Sequence, residues 1–257
     1  MGLLAALLRR MPAAGRVALV VAHPDDETIA AGGSLHLLPD LLLVHVTDGA
    51  PRGLGDVENS NCSSPAEYAA ARRAELHAAL AVAGAAPELV ELDVPDQDAS
   101  LHMPGITAAL ARLFGRHGVT AVLTHAYEGG HPDHDATACC VSRAAAGRMV
   151  VEFAGYHAGP DGSLVTGRFP PRKPSGPFPD GEAAALSSLE AARKRCMFDC
   201  FHTQAGILSH FQTATERFRI APAYDFALPP HPGPLNYERW NWPMTGVRWR
   251  ELARCAA

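Results

Sequence analysis

The sequence has 257 residues, of which 47% are hydrophobic, enough for one α/β domain with an extension or for two small domains. Its formal net charge of −5 gives no basic signature of nucleic-acid binding. Six cysteines without a C-x-x-C pair favour reduced cytosolic thiols over a disulfide framework. No segment approaches the ~20 apolar residues of a membrane-spanning helix. We therefore expect a cytoplasmic protein without a transmembrane segment.

The first elements along the chain alternate between strand and helix. An unbroken apolar, β-branched run predicts a strand buried on both faces over residues 17–22, and a helix is predicted over 28–38. A second strand at 41–47 leads into a turn-rich loop that extends to about residue 64. The next helix is predicted over 65–83, with Gly84 as its stop signal.

The alternation continues through the middle of the chain. Strands are predicted at 89–94, 120–124 and 149–154, and helices at 105–117 and 136–146. Strands that alternate with helices in this way form parallel βαβ units. The sequence therefore predicts an α/β fold with a doubly wound, mostly parallel sheet.

The alternation ends after residue 158, which predicts a less regular C-terminal extension over about 159–257 on a core of about 16–158. Two extended pieces around a turn, a proline-rich loop over 170–180 and a helix over about 182–201 are predicted there. The tail from residue 218 contains all three tryptophans, Trp240, Trp242 and Trp249. We expect this tail to wrap the domain or form one wall of a cleft, with the tryptophans in an aromatic core rather than stacked on a sugar.

Two polar motifs follow predicted buried strands. Residues 22–27 read Ala-His-Pro-Asp-Asp-Glu, and residues 131–134 read His-Pro-Asp-His. The carboxyl ends of parallel strands share a ligand crevice, so we expect both motifs to meet there. Burying such groups costs several kcal/mol unless they are satisfied. A bound cation is therefore favoured over the alternative of two capped helices with solvated polar groups.

Spacing narrows the ligand choice without deciding it. His23 and Asp26 are three residues apart, and so are His131 and His134, so each pair shares a helix face. One member of each pair, with a third group, would close around a single ion. Imidazole and carboxylate ligands suit a catalytic zinc, which keeps one position for water. Asp25 and the remaining histidine would then be free for proton transfer.

Together, the two motifs resemble those of the LmbE/PIG-L family of zinc-dependent N-deacetylases. The resemblance covers about residues 16–155 and extends weakly to Lys194 and residues 202–204. It implies a single deacetylase domain over 1–257 with a Rossmann-like sheet. It also implies removal of the acetyl group from an N-acetylglucosamine-type sugar or conjugate, although some members cleave other amides.

The resemblance also implies roles for individual residues. Zn²⁺ would be held by His23, Asp26 and His134, and Asp25 would be the general base. His131 would stabilise the oxyanion or protonate the leaving amine.

Two further positions match the family more loosely. Arg72 and Asp96 would bind substrate, although a solvated helix face with an Arg72–Glu75 ion pair is an equal alternative for the arginine. Residues 47–50 read Thr-Asp-Gly-Ala where family members often have Thr-x-Gly-Glu, and this departure leaves the identity of the substrate open. His45 is assigned no role.

The expected function is thus zinc-dependent N-deacetylation of an amino-sugar substrate, with no nucleic-acid partner. Two alternatives stay open at this stage. One is an amidase that cleaves another amide, such as a thiol conjugate, with the same site. The other is a sugar-binding protein without catalysis.

Overall fold

The structure is a computed structural model that describes residues 1–53, 62–171 and 180–256. The proline-rich loop predicted over 170–180 and the loop that ends near residue 64 lie partly outside these residues.

Seven strands form one sheet. In chain order they are β1 (Val17–Val21), β2 (Leu41–Pro51), β3 (Glu88–Asp96), β4 (Ala121–His125), β5 (Met149–Phe153), β8 (Glu182–Ala185) and β9 (Thr215–Ile220). The spatial order is β3-β2-β1-β4-β5-β9-β8. The first five are parallel, whereas β9 runs antiparallel to both of its neighbours, β5 and β8. A separate hairpin joins β6 (Tyr156–Ala158) to β7 (Leu164–Thr166).

Helices cover both faces of the sheet. Within residues 1–53, 62–171 and 180–256 they are α1 (Leu3–Arg9), α2 (Asp26–Ala31), α3 (Pro65–Ala83), α4 (Met103–Arg116), α5 (Pro132–Ala144), α6 (Ser188–Phe198), α7 (Ala205–Leu208), α8 (Asn236–Arg239) and α9 (Gly246–Cys255). Single turns of 3₁₀ helix lie at Leu35–Leu37, Ala99–Leu101 and His202–Gln204. Residues of α1, α2, α3 and α6 pack in one apolar core, and those of α4, α5 and α9 in a second.

The central strand β1 explains the layering. Val17, Leu19 and Val21 face the first core, while Ala18 and Val20 face the second. Each of these side chains is at most 1% exposed. The unbroken apolar run therefore marks a strand buried on both faces, and the doubly wound, mostly parallel sheet predicted from the sequence is confirmed.

Two predicted helices are wrong in extent. The first ends at Ala31, and the Gly33 N–H donates to Glu216 Oε1 at 2.8 Å rather than continuing the helix; Leu186 packs so closely on Gly33 that a Cβ there would overlap it. The second, predicted over 182–201, begins only at Ser188, where Ser187 and Glu190 form a capping box. Residues 182–185 instead pair with β9, so tertiary pairing overrides their alanine-rich helix propensity.

The tail contains one core tryptophan. Trp249 on α9 is fully buried, and its Nε1 donates to the Pro132 carbonyl at 3.0 Å. Its ring stacks on Tyr127 with centroids 5.1 Å apart. The other two tryptophans do not join this core but lie against a cleft. Helix α9 therefore packs against the start of α5, which carries the second motif.

We expect Trp249→Ala to lower the free energy of unfolding by about 3–5 kcal/mol, because it leaves a cavity in the second core. Trp240→Ala is the matched control, since Trp240 is 40% exposed; a change of at most about 0.5 kcal/mol is expected for it. Chemical denaturation of both variants measures the difference. Equal losses in the two variants would contradict this assignment of Trp249 to the core.

Candidate metal centre

The seven site residues predicted from the sequence line one cleft of about 310 Å³ at the carboxyl end of the sheet. The turn from β1 into α2 supplies His23, Asp25 and Asp26, and the turn from β4 into α5 supplies His131 and His134. The remaining two, contributed by α3 and by the last residue of β3, are Arg72 and Asp96. All seven are at most 7% exposed.

Three of these side chains converge on one point. His23 Nδ1 lies 3.1 Å from Asp26 Oδ2, and His134 Nε2 lies 3.3 Å from both His23 Nδ1 and Asp26 Oδ1. A tetrahedral zinc with bonds of ~2.0–2.1 Å keeps its ligand atoms about 3.3–3.4 Å apart. The spacing and the chemistry of this donor set therefore fit such an ion.

Other histidines and carboxylates crowd the same point. Among the described residues, three sets have potential ligand atoms within 4.8 Å of one another. They are His23, His131 and His134; His23, Asp96, His131 and Asp133; and Asp26, His125 and His134. Two of these residues, Asp133 and His125, were not singled out by the sequence reasoning.

Asp133 supports the far side of the His23 ring. Its Oδ2 lies 3.3 Å from His23 Nε2 and accepts the Gln97 N–H at 2.6 Å, while its Oδ1 accepts the Ala99 N–H at 3.1 Å. A carboxylate at the second nitrogen fixes the orientation and tautomer of a ligating histidine. The sequence signal for Asp133 was its position between His131 and His134. Its hydrogen-bond partners Gln97 and Ala99, however, lie more than thirty residues away along the chain.

His125 joins the two strand ends. It closes β4, and its Nε2 accepts the Ala22 N–H at 3.0 Å. Its ring stacks on His134 with centroids 4.0 Å apart and an interplanar angle of 18°. Burial, reinforced by the charge of His134, lowers the pKa of His125 to about 3. This neutral ring therefore packs the turn that presents the second motif.

The carboxylates around the centre stabilise positive charge among them. Burial lowers the pKa of His23, but Asp96, Asp133 and Asp26 outweigh burial and hold that pKa well above its usual value. Burial raises the pKa of Asp26, but His134 and His125 outweigh it and hold that pKa well below its usual value. The centre thus stabilises a cation among its carboxylates, as a metal site requires.

Asp25 stands in a strained turn beside the centre. Its φ of 124° is outside the regions that side chains other than glycine normally adopt. Arg72 Nη2 donates to Asp25 Oδ2 at 3.0 Å and to the Pro24 carbonyl at 2.6 Å, and its Nη1 donates to the Gly49 carbonyl at 2.8 Å. Burial raises the pKa of Asp25 well above its usual value and outweighs the opposing effect of Arg72.

Arg72 is therefore not on a solvated helix face. It is 3% exposed, and the alternative partner Glu75 instead accepts the Thr203 N–H at 2.9 Å and the Thr203 hydroxyl at 2.6 Å. The structure places Arg72 and Asp96 beside each other, with Nη1 and Oδ2 4.0 Å apart. Their predicted contact with substrate stays a prediction.

The strained turn has a second support that sequence reasoning missed. Glu27 Oε2 accepts the Asp25 N–H at 3.0 Å and lies 3.1 Å from His45 Nε2 on β2, while Oε1 accepts the Thr28 hydroxyl at 2.7 Å. Glu27 and His45 are both fully buried. The signal was a histidine within an apolar strand; no partner for His45 lies near it in the sequence, and the fold supplies Glu27.

His131 presents one nitrogen to the cleft. The Asp133 N–H donates to its Nδ1 at 3.1 Å, so the neutral ring carries its proton on Nε2. Burial, followed by the charge of His23, lowers the pKa of His131 well below its usual value. The Nε2–H therefore acts as a hydrogen-bond donor in the cleft, 3.7 Å from Asp96 Oδ1.

The sequence profile of PIG-L, described as GlcNAc-PI de-N-acetylase, matches residues 18–145. The chain belongs to the PIG-L family. The PIG-L match spans β1 to the end of α5 and so contains both motifs, whereas β8, β9 and the tryptophans lie outside it. None of the curated proteins matches the sequence significantly.

Solved structures share the PIG-L fold of this chain at low identity. A triple mutant of the deacetylase of the teicoplanin biosynthetic pathway is 16% identical with a TM-score of 0.59, covering 82% of this chain and 100% of its own. N,N'-diacetylchitobiose deacetylase from Pyrococcus horikoshii is 17% identical with a TM-score of 0.56, covering 85% and 87%. GalB, a 4-carboxy-2-hydroxymuconate hydratase from Pseudomonas putida, is 18% identical with a TM-score of 0.52, covering 82% and 98%.

No helix among the described residues has the length and apolar character needed to cross a membrane.

We expect Glu27→Ala to destabilise the fold by roughly 2–6 kcal/mol, because it leaves the Asp25 N–H and His45 without their partner, at about 1–3 kcal/mol each. Glu251→Ala is the matched control, since Glu251 is exposed on α9. Denaturant unfolding of both variants tests this. A Glu27→Ala protein as stable as the control would contradict the support assigned to Glu27.

Proposed function

We propose that this protein is a zinc-dependent N-deacetylase that hydrolyses the acetamide of an N-acetylglucosamine-type sugar or sugar conjugate. The observation that carries the proposal is the triangle of His23, Asp26 and His134, with Asp25 beside it in one cleft. The family description names a de-N-acetylase, and a deacetylase of the teicoplanin biosynthetic pathway and an N,N'-diacetylchitobiose deacetylase share the fold.

The same triangle would hold the metal. When bound there, zinc supplies a Lewis acid that polarises the amide carbonyl and lowers the pKa of coordinated water to about 7. Asp133 and Asp96, on the far nitrogen of His23, hold that ring with its other nitrogen toward the centre.

Asp25 would act as the general base. It accepts a proton from the attacking water and returns it to the sugar nitrogen when the C–N bond breaks, so the amine leaves uncharged. Arg72 and Glu27 fix the side chain and the backbone of Asp25 for this transfer. We therefore propose that Arg72 acts through Asp25 as a positioning residue, in addition to the substrate contact predicted from the sequence.

His131 would stabilise the developing oxyanion. Its neutral ring offers the Nε2–H as a donor in the cleft, and a fixed donor contributes most where charge develops. This arrangement favours the oxyanion role over protonation of the leaving amine, which requires a cationic imidazole. Asp96, on the cleft floor, would accept a hydrogen bond from a sugar hydroxyl.

We expect Asp25→Asn to lower kcat by about 10²–10⁴-fold, because it removes the proton acceptor without changing the metal ligands. Acetate release from N-acetylglucosamine conjugates, followed by mass spectrometry, measures the loss. Asp93→Asn is the matched control, since the Asp93 side chain is 66% exposed. Full activity in a folded, metal-loaded Asp25→Asn protein would rule out this base, and release of another acid in place of acetate would favour the amidase.

Metal removal gives an independent test. We expect complete chelation to abolish acetate release and to lower the melting temperature, because an ion present at 1,000 times its Kd adds about 4 kcal/mol to stability. Added zinc restores both properties. His134→Ala serves as the control, since zinc should then no longer raise the melting temperature. Unchanged activity after removal verified by elemental analysis would contradict metal dependence.

A further inference from the structure

The cleft has two zones of different chemistry. Its floor carries the histidines and carboxylates of the metal centre, whereas its mouth is lined by large rings. Trp240 and Trp242, which follow α8, form one side of the mouth and are named here the aromatic wall. Gly206 and Ile207 of α7 also line the mouth. Both zones belong to the same cleft, so one molecule can occupy them together.

The aromatic wall lines the cleft and is not buried in the apolar core. Trp240 is 40% exposed, in contrast to the fully buried Trp249. The two indole centroids lie 5.2 Å apart with an interplanar angle of 52°. Trp240 is exposed and Trp242 is half-buried, and a pair of indoles that lines a cleft in this way is typical of a binding site rather than of a core.

The aromatic wall is also held in place from behind and below. Tyr156, which is 5% exposed, lies 6.0 Å from Trp240 between ring centroids. Trp242 meets the ring of His131 edge to face at 4.7 Å. The wall therefore begins directly above the residue proposed to bind the oxyanion, and a group attached to the reacting sugar would reach it.

Polar groups around the mouth are already engaged with one another. Gln204 Nε2 donates to the Tyr68 hydroxyl at 2.8 Å and to the Thr203 carbonyl at 3.0 Å. The Thr203 hydroxyl donates to Glu75. A second sugar would bring several hydroxyls to this zone, where the Gln204 amide N–H and the Thr203 hydroxyl proton already have partners. An apolar ring needs no partner there and gains by burial against the indoles.

We propose that the aromatic wall is a subsite for an apolar, aromatic aglycone. The substrate is then an aryl glycoside of the N-acetylated sugar, with the acetamide at the floor and the aglycone stacked on Trp240 and Trp242. Aromatic stacking contributes about 0.5–1.5 kcal/mol beyond burial, which corresponds to roughly 2–12-fold in affinity. The orientation of the sugar rests on the proposed function, but the binding of the aryl group does not.

The test compares three probes on the zinc-loaded protein: the methyl and phenyl glycosides of N-acetylglucosamine and N,N'-diacetylchitobiose. Binding is followed by quenching of tryptophan fluorescence, and turnover by acetate release. We expect the phenyl glycoside to bind about 3–10-fold more tightly than the methyl glycoside. Trp240→Ala should remove that preference and change binding of the methyl glycoside less than about 2-fold, while Trp240→Phe keeps most of it.

Leu228→Ala is the matched control, because Leu228 is a 55% exposed apolar residue that does not line the cleft; it should keep the full preference. Equal affinity for the phenyl and methyl glycosides in the native protein would overturn the proposal. So would an equal loss for both glycosides in Trp240→Ala, or a gain for the disaccharide as large as that for the phenyl glycoside.

Binding and turnover separate this proposal from the proposed function. A phenyl preference that Trp240→Ala removes, without acetate release from any probe, would support the subsite and reject the deacetylase. Acetate release from all three probes at similar kcat/KM, without a phenyl preference in binding, would support the deacetylase and overturn the subsite.

Discussion

The site depends on buried negative charge at the end of a parallel sheet. Asp26, Asp96 and Asp133 surround His23 within 3.3 Å, and each of these carboxylates is nine-tenths or more buried. Such a cluster is costly unless a cation lies within it. These carboxylates raise the pKa of His23 although burial lowers it, so a positive charge on His23 balances part of their negative charge. A divalent ion among the same groups would balance this negative charge more fully.

One strained turn directs three consecutive acidic side chains to three different sets of partners. Asp25 turns toward Arg72, Asp26 toward His23 and His134, and Glu27 back into the sheet toward His45. A regular helix or strand does not send three neighbouring side chains to such different partners. The positive φ of Asp25 is what permits it, and the hydrogen bonds from Arg72 and to Glu27 hold that conformation.

Local sequence patterns predicted the features that depend on neighbouring residues. The apolar run of β1, and the start of α3 at Pro65 and its stop at Gly84, are local, and all are present in the structure. The features that were missed depend on distant partners. The spacing of Arg72 and Glu75 left a surface ion pair as an equal alternative to substrate binding, but Glu75 binds Thr203, which is 128 residues away. The alanines of β8 favour a helix until β9 pairs with them.

The residues proposed for the reaction and those proposed for substrate choice lie in different parts of the chain. A fold of this kind also supports a hydratase, so the sheet alone does not determine the reaction. The floor of the cleft comes from the region that matches the family, whereas the aromatic wall comes from the C-terminal extension. Trp249 links the two regions, because it donates to the Pro132 carbonyl at the first residue of α5. Residues at the mouth could therefore vary without moving the proposed metal ligands, provided that this buried contact keeps the extension in register with the second motif.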